Sequence, residues 1–134
     1  MDLRLSSCTL AVHDLPEALR FYRDVLGCRV HDAVDAQGVR RVSVSPRSQP
    51  DVRIVLDPPG PHRGATPAVR QAIDVLLADG LLCRLVFTTD DCDAAFERLE
   101  AAGAEVLQEP TDQPYGVRDC AFRDPAGNML RFNQ

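Results

Sequence analysis

PYGVRDCAFRDPAGN, residues 114–128, sets one strand between two tight turns. PYG at its head and DPAG at its tail hold the Pro, Gly and Asp that preset or tolerate turn dihedrals. VRDCAFR between the turns, and MLRF (129–132) after them, alternate as strands do. The stretch therefore reads as the last two strands of the chain, joined by the turn of Asp124, Pro125, Gly127 and Asn128.

Moving outward, AEVLQEP (104–110) is one more strand, preceded by Gly103 as the stop of a helix CDAAFERLEAA (92–102) that Asp91 opens. LLCRLVFTT (81–89) is the strand before that helix. The same order stands earlier in the chain. LSSCTLAV (5–12) is a strand, and Asp14, Pro16 and Glu17 form a capping-box-like start. Ala18, Leu19, Tyr22, Val25 and Leu26 recur at helical spacing and Gly27 stops the helix. CRVHDAV, VRRVSVS and DVRIVLD follow as three strands, separated by AQG and PRSQP.

One βαβββ unit used twice explains this order, because each unit alone leaves a sheet face that its twin can oppose. The expected fold class is α+β: two paired modules, each with a mixed sheet, in a single domain over 1–134. Module 1 covers about 1–58, a linker helix about 59–80 and module 2 about 81–134. In the linker, Thr66 and Pro67 suit a helix start, Val69, Ala72, Ile73, Leu76 and Leu77 form an apolar face, and Gly80 closes the helix. It serves either as packing or as a cover over a cavity.

Composition narrows the function. At 134 residues and 45% hydrophobic the chain can bury a sizeable core. A net charge of −5 without a basic block speaks against a nucleic-acid partner. No apolar run approaches the roughly 18 residues of a membrane span, and the N-terminus lacks signal-peptide character, so no membrane partner and a cytoplasmic location are expected. The five cysteines, Cys8, Cys28, Cys83, Cys92 and Cys120, are scattered without C-x-x-C spacing and read as reduced thiols.

HDL (13–15), ALRFYRDVLG (18–27), DDCDAAFERLEAAGAEV (90–106) and, above all, PYGVRDCAFRDPAGN resemble the vicinal oxygen chelate superfamily. Its members include glyoxalase I, extradiol dioxygenases and bleomycin-resistance binders. The resemblance implies metal ligands seven residues before each helix-capping Asp and seven after the Asp of the last turn. Those positions hold Ser7, Arg84 and Arg131 here. A serine hydroxyl is a poor ligand for a divalent ion, and a guanidinium has no lone pair to give. Two Arg would also repel a dication by several kcal/mol on an order-of-magnitude Coulomb estimate. On the strand DVRIVLD, Arg53, Val55 or Asp57 faces inward depending on register, and Asp57 alone of these is a plausible ligand or an ion-pair partner for the two Arg.

Period two puts Arg84 and Arg131 on the face opposite Leu85, Phe87, Leu130 and Phe132. There they either contact a ligand, as planar forks for a carboxylate, phosphate or quinone-type oxygen, or pair with Asp57 or Glu105. The resemblance implies that the two modules form a cup-shaped mixed sheet with Tyr115 near its mouth, where it contacts a ligand or partner chain; otherwise it packs on its own turn. Phe21 and Tyr22 read as core. His13, His31 and His62 read as structural or solvated, with no ligand-like spacing among them.

The expectation is a metal-free protein without cofactor or catalytic residues that binds a small organic ligand at Ser7, Asp57, Arg84, Tyr115 and Arg131, after the manner of antibiotic sequestration. The resemblance further implies a homodimer. The alternative is a glyoxalase-like lyase, isomerase or dioxygenase, either with displaced ligands such as Asp57, Glu105, Glu109 or a His, or metal-free with the two Arg polarising a substrate oxygen.

Overall fold

The computed structural model describes residues 1–58 and 66–134. The chain divides into two compact units, Met1–Gly60 and Pro61–Gln134. Each contains a four-stranded mixed sheet with the same strand order, and three helical regions complete the α+β fold.

In the first unit β1 (Ser7–Ala11) leads into α1 (Leu15–Leu19), followed by β2 (Arg29–Val34), β3 (Arg40–Ser45) and β4 (Arg53–Asp57). Asp14 is the N-cap, extended in backbone, and its carboxylate accepts from Glu17 N at 3.1 Å. The helix does not stay α-helical to its end. Over Arg20–Val25 it widens into a π-helical turn, with Leu26 N bonded to Phe21 O at 3.0 Å. The adjacent Phe21 and Tyr22 are both buried there, edge to face at 5.1 Å. Gly27 then takes a left-handed φ of 74°.

The sheet order is β1-β4-β3-β2, with β1 parallel to β4 and the other pairs antiparallel. Leu10, Val42, Val44, Ile54 and Leu56 of one face are buried, and α1 packs against β4. Fully burying a side chain such as Leu10 contributes about 1.5–3 kcal/mol.

The second unit begins with α2 (Pro67–Ala78), capped by Thr66 Oγ1, which accepts from Val69 N at 3.2 Å. Residues 59–64 of the expected linker, His62 among them, and Ala65 lie outside the described residues. The apolar stripe expected on α2 is only partly packed: Leu77 is buried, whereas Val69 and Leu76 are exposed. β5 (Arg84–Thr88), α3 (Cys92–Ala101), β6 (Glu105–Asp112), β7 (Arg118–Arg123) and β8 (Met129–Asn133) follow. Asp91 caps α3 by accepting from Ala94 N at 3.0 Å. The sheet order is β5-β8-β7-β6, again with one parallel pair, β5 with β8.

α3 packs on β6, β7 and β8. Phe122 sits beneath Phe96 at 5.4 Å, and Phe87 stacks on Phe132 at 5.4 Å. The turn between β7 and β8 is held by Asp124, whose Oδ1 accepts from Ala126, Gly127 and Asn128 N at 2.8–3.0 Å. Gly127 has a φ of 110°, and a Cβ there would run into the carbonyl oxygens of Leu77 and Ala78 at the end of α2. Arg123 ties the same two segments together, donating from Nη1 to Ala78 O at 3.3 Å and Gly127 O at 3.2 Å.

Candidate functional site

Register decides which side chains share the face of the second sheet turned away from α3. Val86 pairs with Arg131, Arg131 with Ala121, and Ala121 with Gln108. One row to one side stand Thr88, Asn133, Asp119 and Thr111; one row to the other stand Arg84, Met129, Arg123 and Glu105. Gln108 reaches this face only because β6 is irregular: the register shifts on both sides of it. With unbroken alternation it would share the helix-facing side of Val106, so the bulge re-aims it.

These residues form a closed hydrogen-bonded ring. Arg131 Nη1 donates to Asp119 Oδ2 at 2.9 Å and to Gln108 Oε1 at 3.2 Å, while Gln108 Nε2 donates to Asp119 Oδ1 at 2.6 Å. Gln113, from the turn before β7, adds a bond to the same Oδ1 at 2.9 Å. Asp119 is completely buried, whereas 29% of the Arg131 side chain is exposed. Burial pushes the Asp119 carboxyl up, but hydrogen bonds from Gln113, Gln108 and Arg131 and the guanidinium charge outweigh it and hold the group below the ordinary carboxylate range. The Nε and Nη2 groups of Arg131 bond to no described residue.

The acidic partner of Arg131 is thus Asp119, not the expected Asp57 or Glu105. Glu105 lies 3.4 Å from Arg123 instead. Arg84 is exposed and forms no ion pair with a described residue. Tyr115 is exposed at the hairpin tip, where Gly116 takes a φ of 88°. In the first unit, β1 pairs Ser7 with Arg53, Thr9 with Val55 and Ala11 with Asp57, so Arg53, Val55 and Asp57 all share the face of Ser7. Ser7 and Asp57 are exposed.

Two polar groups escaped the sequence reading altogether. Asp119 sat in an apolar-flanked strand at the same alternation phase as Ala121, a legible hint; Gln108 had none, because a bulge leaves no fixed sequence mark. His31 Nε2 and Ser45 Oγ lie 3.1 Å apart in a diagonal contact between β2 and β3, where His31 pairs with Ser43 and Ser45 with Arg29. Ser45 is fully buried, so a substrate cannot reach its hydroxyl and the pair serves the fold.

The cysteine side chains are free thiols. Burial pushes Cys28 up to about 11 and, with the Cys92 contact, Cys120 up to about 12, so both stay protonated and unreactive at neutral pH. No group of three His, Cys, Asp or Glu among the described residues is arranged to hold a metal. Of the donors invoked for displaced ligation, Glu105 is with Arg123, His31 is with Ser45, and Glu109 is exposed. The residues at the metal-ligand positions do not fit a divalent ion, since two are guanidinium groups and one of these already occupies a buried carboxylate.

The twin βαβββ units define the class, and the chain belongs to the glyoxalase/bleomycin resistance protein/dioxygenase superfamily, whose sequence model matches residues 4–132. Among solved structures it is similar to UcmS2, at 32% identity and a TM-score of 0.88 over 99% of this chain and 98% of that one. It is also similar to TnmS3, an antibiotic binding protein from Streptomyces sp. CB03234, at 27% identity and a TM-score of 0.74, covering 99% and 96%. A superfamily member from Sphaerobacter thermophilus DSM 20745 is 26% identical with a TM-score of 0.72, covering 98% and 97%. No curated protein matches the chain.

Proposed function

We propose that this chain binds a small organic molecule without transforming it, in the manner of an antibiotic-sequestering protein, on the sheet face that carries Arg84 and Arg131. The observation that supports this most is Arg131 itself: fixed on one side by buried Asp119 and by Gln108, it keeps Nε and Nη2 clear of every described residue on a partly exposed face. A preorganised fork loses little freedom when a ligand oxygen arrives, so its hydrogen bonds count more fully toward affinity. The likeness to TnmS3 supports the same reading. Sequestration requires affinity and protein excess, not a group that lowers a barrier. Ser7, Asp57 and Tyr115 are the further contact residues of this reading; a two-fold dimer in the cytoplasm is its setting.

A thermal-shift screen of aromatic and anionic natural products, followed by titration calorimetry, tests it. A bound compound raises the melting temperature through linkage, and the double variant Arg84→Ala, Arg131→Ala loses the calorimetric signal. Equal affinity in the folded double variant would overturn the proposal.

A further inference from the structure

We infer that Asp119 is a specificity-determining positioning residue: it makes Arg131 a hydrogen-bond donor for a neutral carbonyl-type oxygen and leaves Arg84 to anchor an anionic group. The matching ligand class is an organic monoanion that carries a separate neutral carbonyl. This rests on the binding role proposed above.

Charge placement on the face carries the argument. Asp119 is fully buried and both its oxygens are engaged, Oδ1 by Gln108 and Gln113, Oδ2 by Arg131 at 2.9 Å. A carboxylate so close in a poorly solvated place offsets most of the guanidinium field that an approaching ligand feels. An anion placed at Arg131 would gain little attraction and would meet the Asp119 charge behind it. A neutral carbonyl avoids that repulsion and still accepts from Nε or Nη2, which bond to no described residue.

Gln108 makes the geometry one-directional. Its amide nitrogen is turned to Asp119 and its oxygen to Arg131, so reversing it would set like groups against each other at both ends. Nη1 is thereby pinned into the sheet. Arg123 on the same face is likewise matched, 3.4 Å from Glu105. Arg84, in the adjacent strand and the neighbouring row, is exposed and has no acidic partner among the described residues. The face thus separates a neutralised donor from an unmatched cation.

Naphthoate and its methyl ester distinguish the two, titrated at millimolar concentration while amide resonances of β5 and β8 are followed. The ester should lose about tenfold in affinity in Arg131→Lys, which keeps a cation beside Asp119 but removes the fork. Naphthoate should lose about tenfold in Arg84→Ala and gain several-fold in Asp119→Asn, where the Arg131 charge is uncovered. Loss of naphthoate binding in Arg131→Lys as large as in Arg84→Ala, or no gain in a folded Asp119→Asn protein, overturns the charge assignment while the binding role stands. Should Asp119→Asn fail to fold, the comparison of Arg131→Lys with Arg84→Ala decides alone. Absence of any shift with either probe in the unmodified protein overturns this inference, while the binding role is decided by the screen above.

Discussion

Gln108 Nε2 lies 2.6 Å from Asp119 Oδ1, the shortest bond of a ring that immobilises Arg131. Removing the carboxylate takes the counter-charge from the Arg131 guanidinium and the side-chain acceptor from Gln113 and Gln108, the last keeping only the longer 3.3 Å bond to the Asp119 carbonyl. Asp119→Ala should therefore destabilise the protein by about 2–3 kcal/mol, discounted from the full buried-pair value because Arg131 is partly solvated. Urea unfolding of the two proteins measures the difference; equal midpoints and slopes would refute it.

The same carboxyl gives stability a defined pH dependence. Its folded value lies below the ordinary Asp value, so the unfolded chain binds the proton more readily than the native one. The contribution is complete above about pH 3.9, declines below that value and is lost once the pH has passed beneath the folded value. The stability gap between the unmodified protein and Asp119→Asn should narrow across that acid window. A gap that widens on acidification would show the sign to be wrong.

Gly127 meets two constraints together, a left-handed φ and backbone carbonyls where a side chain would begin. Gly127→Ala should cost about 2–4 kcal/mol and raise amide exchange at the α2 C-terminus, because neither obstacle is a side chain able to swing away. Exchange confined to the turn, with α2 unchanged, would mean that the two segments are not coupled.

Thiol chemistry should divide the cysteines by burial. Cys8 and Cys83 are partly exposed and should react with a disulfide reagent in the native state, while Cys28, Cys92 and Cys120 react only on unfolding. Rapid labelling of Cys28 or Cys120 in the folded protein would contradict their raised values.

Protein purified without chelator and then offered zinc, nickel, manganese or ferrous iron should bind none of them stoichiometrically, as read by elemental analysis. Near one ion per chain would bring the metal-dependent alternative forward and place ligands outside Ser7, Arg84 and Arg131.

Most of the fold was legible because its signals are local. Asp14 and Asp91 cap within three residues, Gly27 and Gly103 take left-handed values, and the Asp124 turn closes on its own amides. What escaped depends on partners distant in sequence. Strand alternation placed Arg131 opposite Leu130 and Phe132, but the bulge at Gln108 breaks the same rule two strands away, so the ring with Asp119 was hidden. Hydrophobic periodicity found α2 but left open whether its apolar stripe packs or covers a cavity, since a stripe does not reveal what lies against it; Leu77 is buried, while Val69 and Leu76 are exposed. The π-helical turn likewise keeps its buried aromatic residues within an ordinary helical spacing.

β8 reads Met129, Leu130, Arg131, Phe132, Asn133, and its alternate positions answer to different demands. Leu130 and Phe132 serve the interior, while Arg131 between them lies on the partly exposed face. Arg131 nonetheless answers to the interior as well, because replacing it leaves the buried Asp119 carboxylate without its cation. At this position a change of ligand preference carries a cost in stability, so recognition and folding are bound to one side chain.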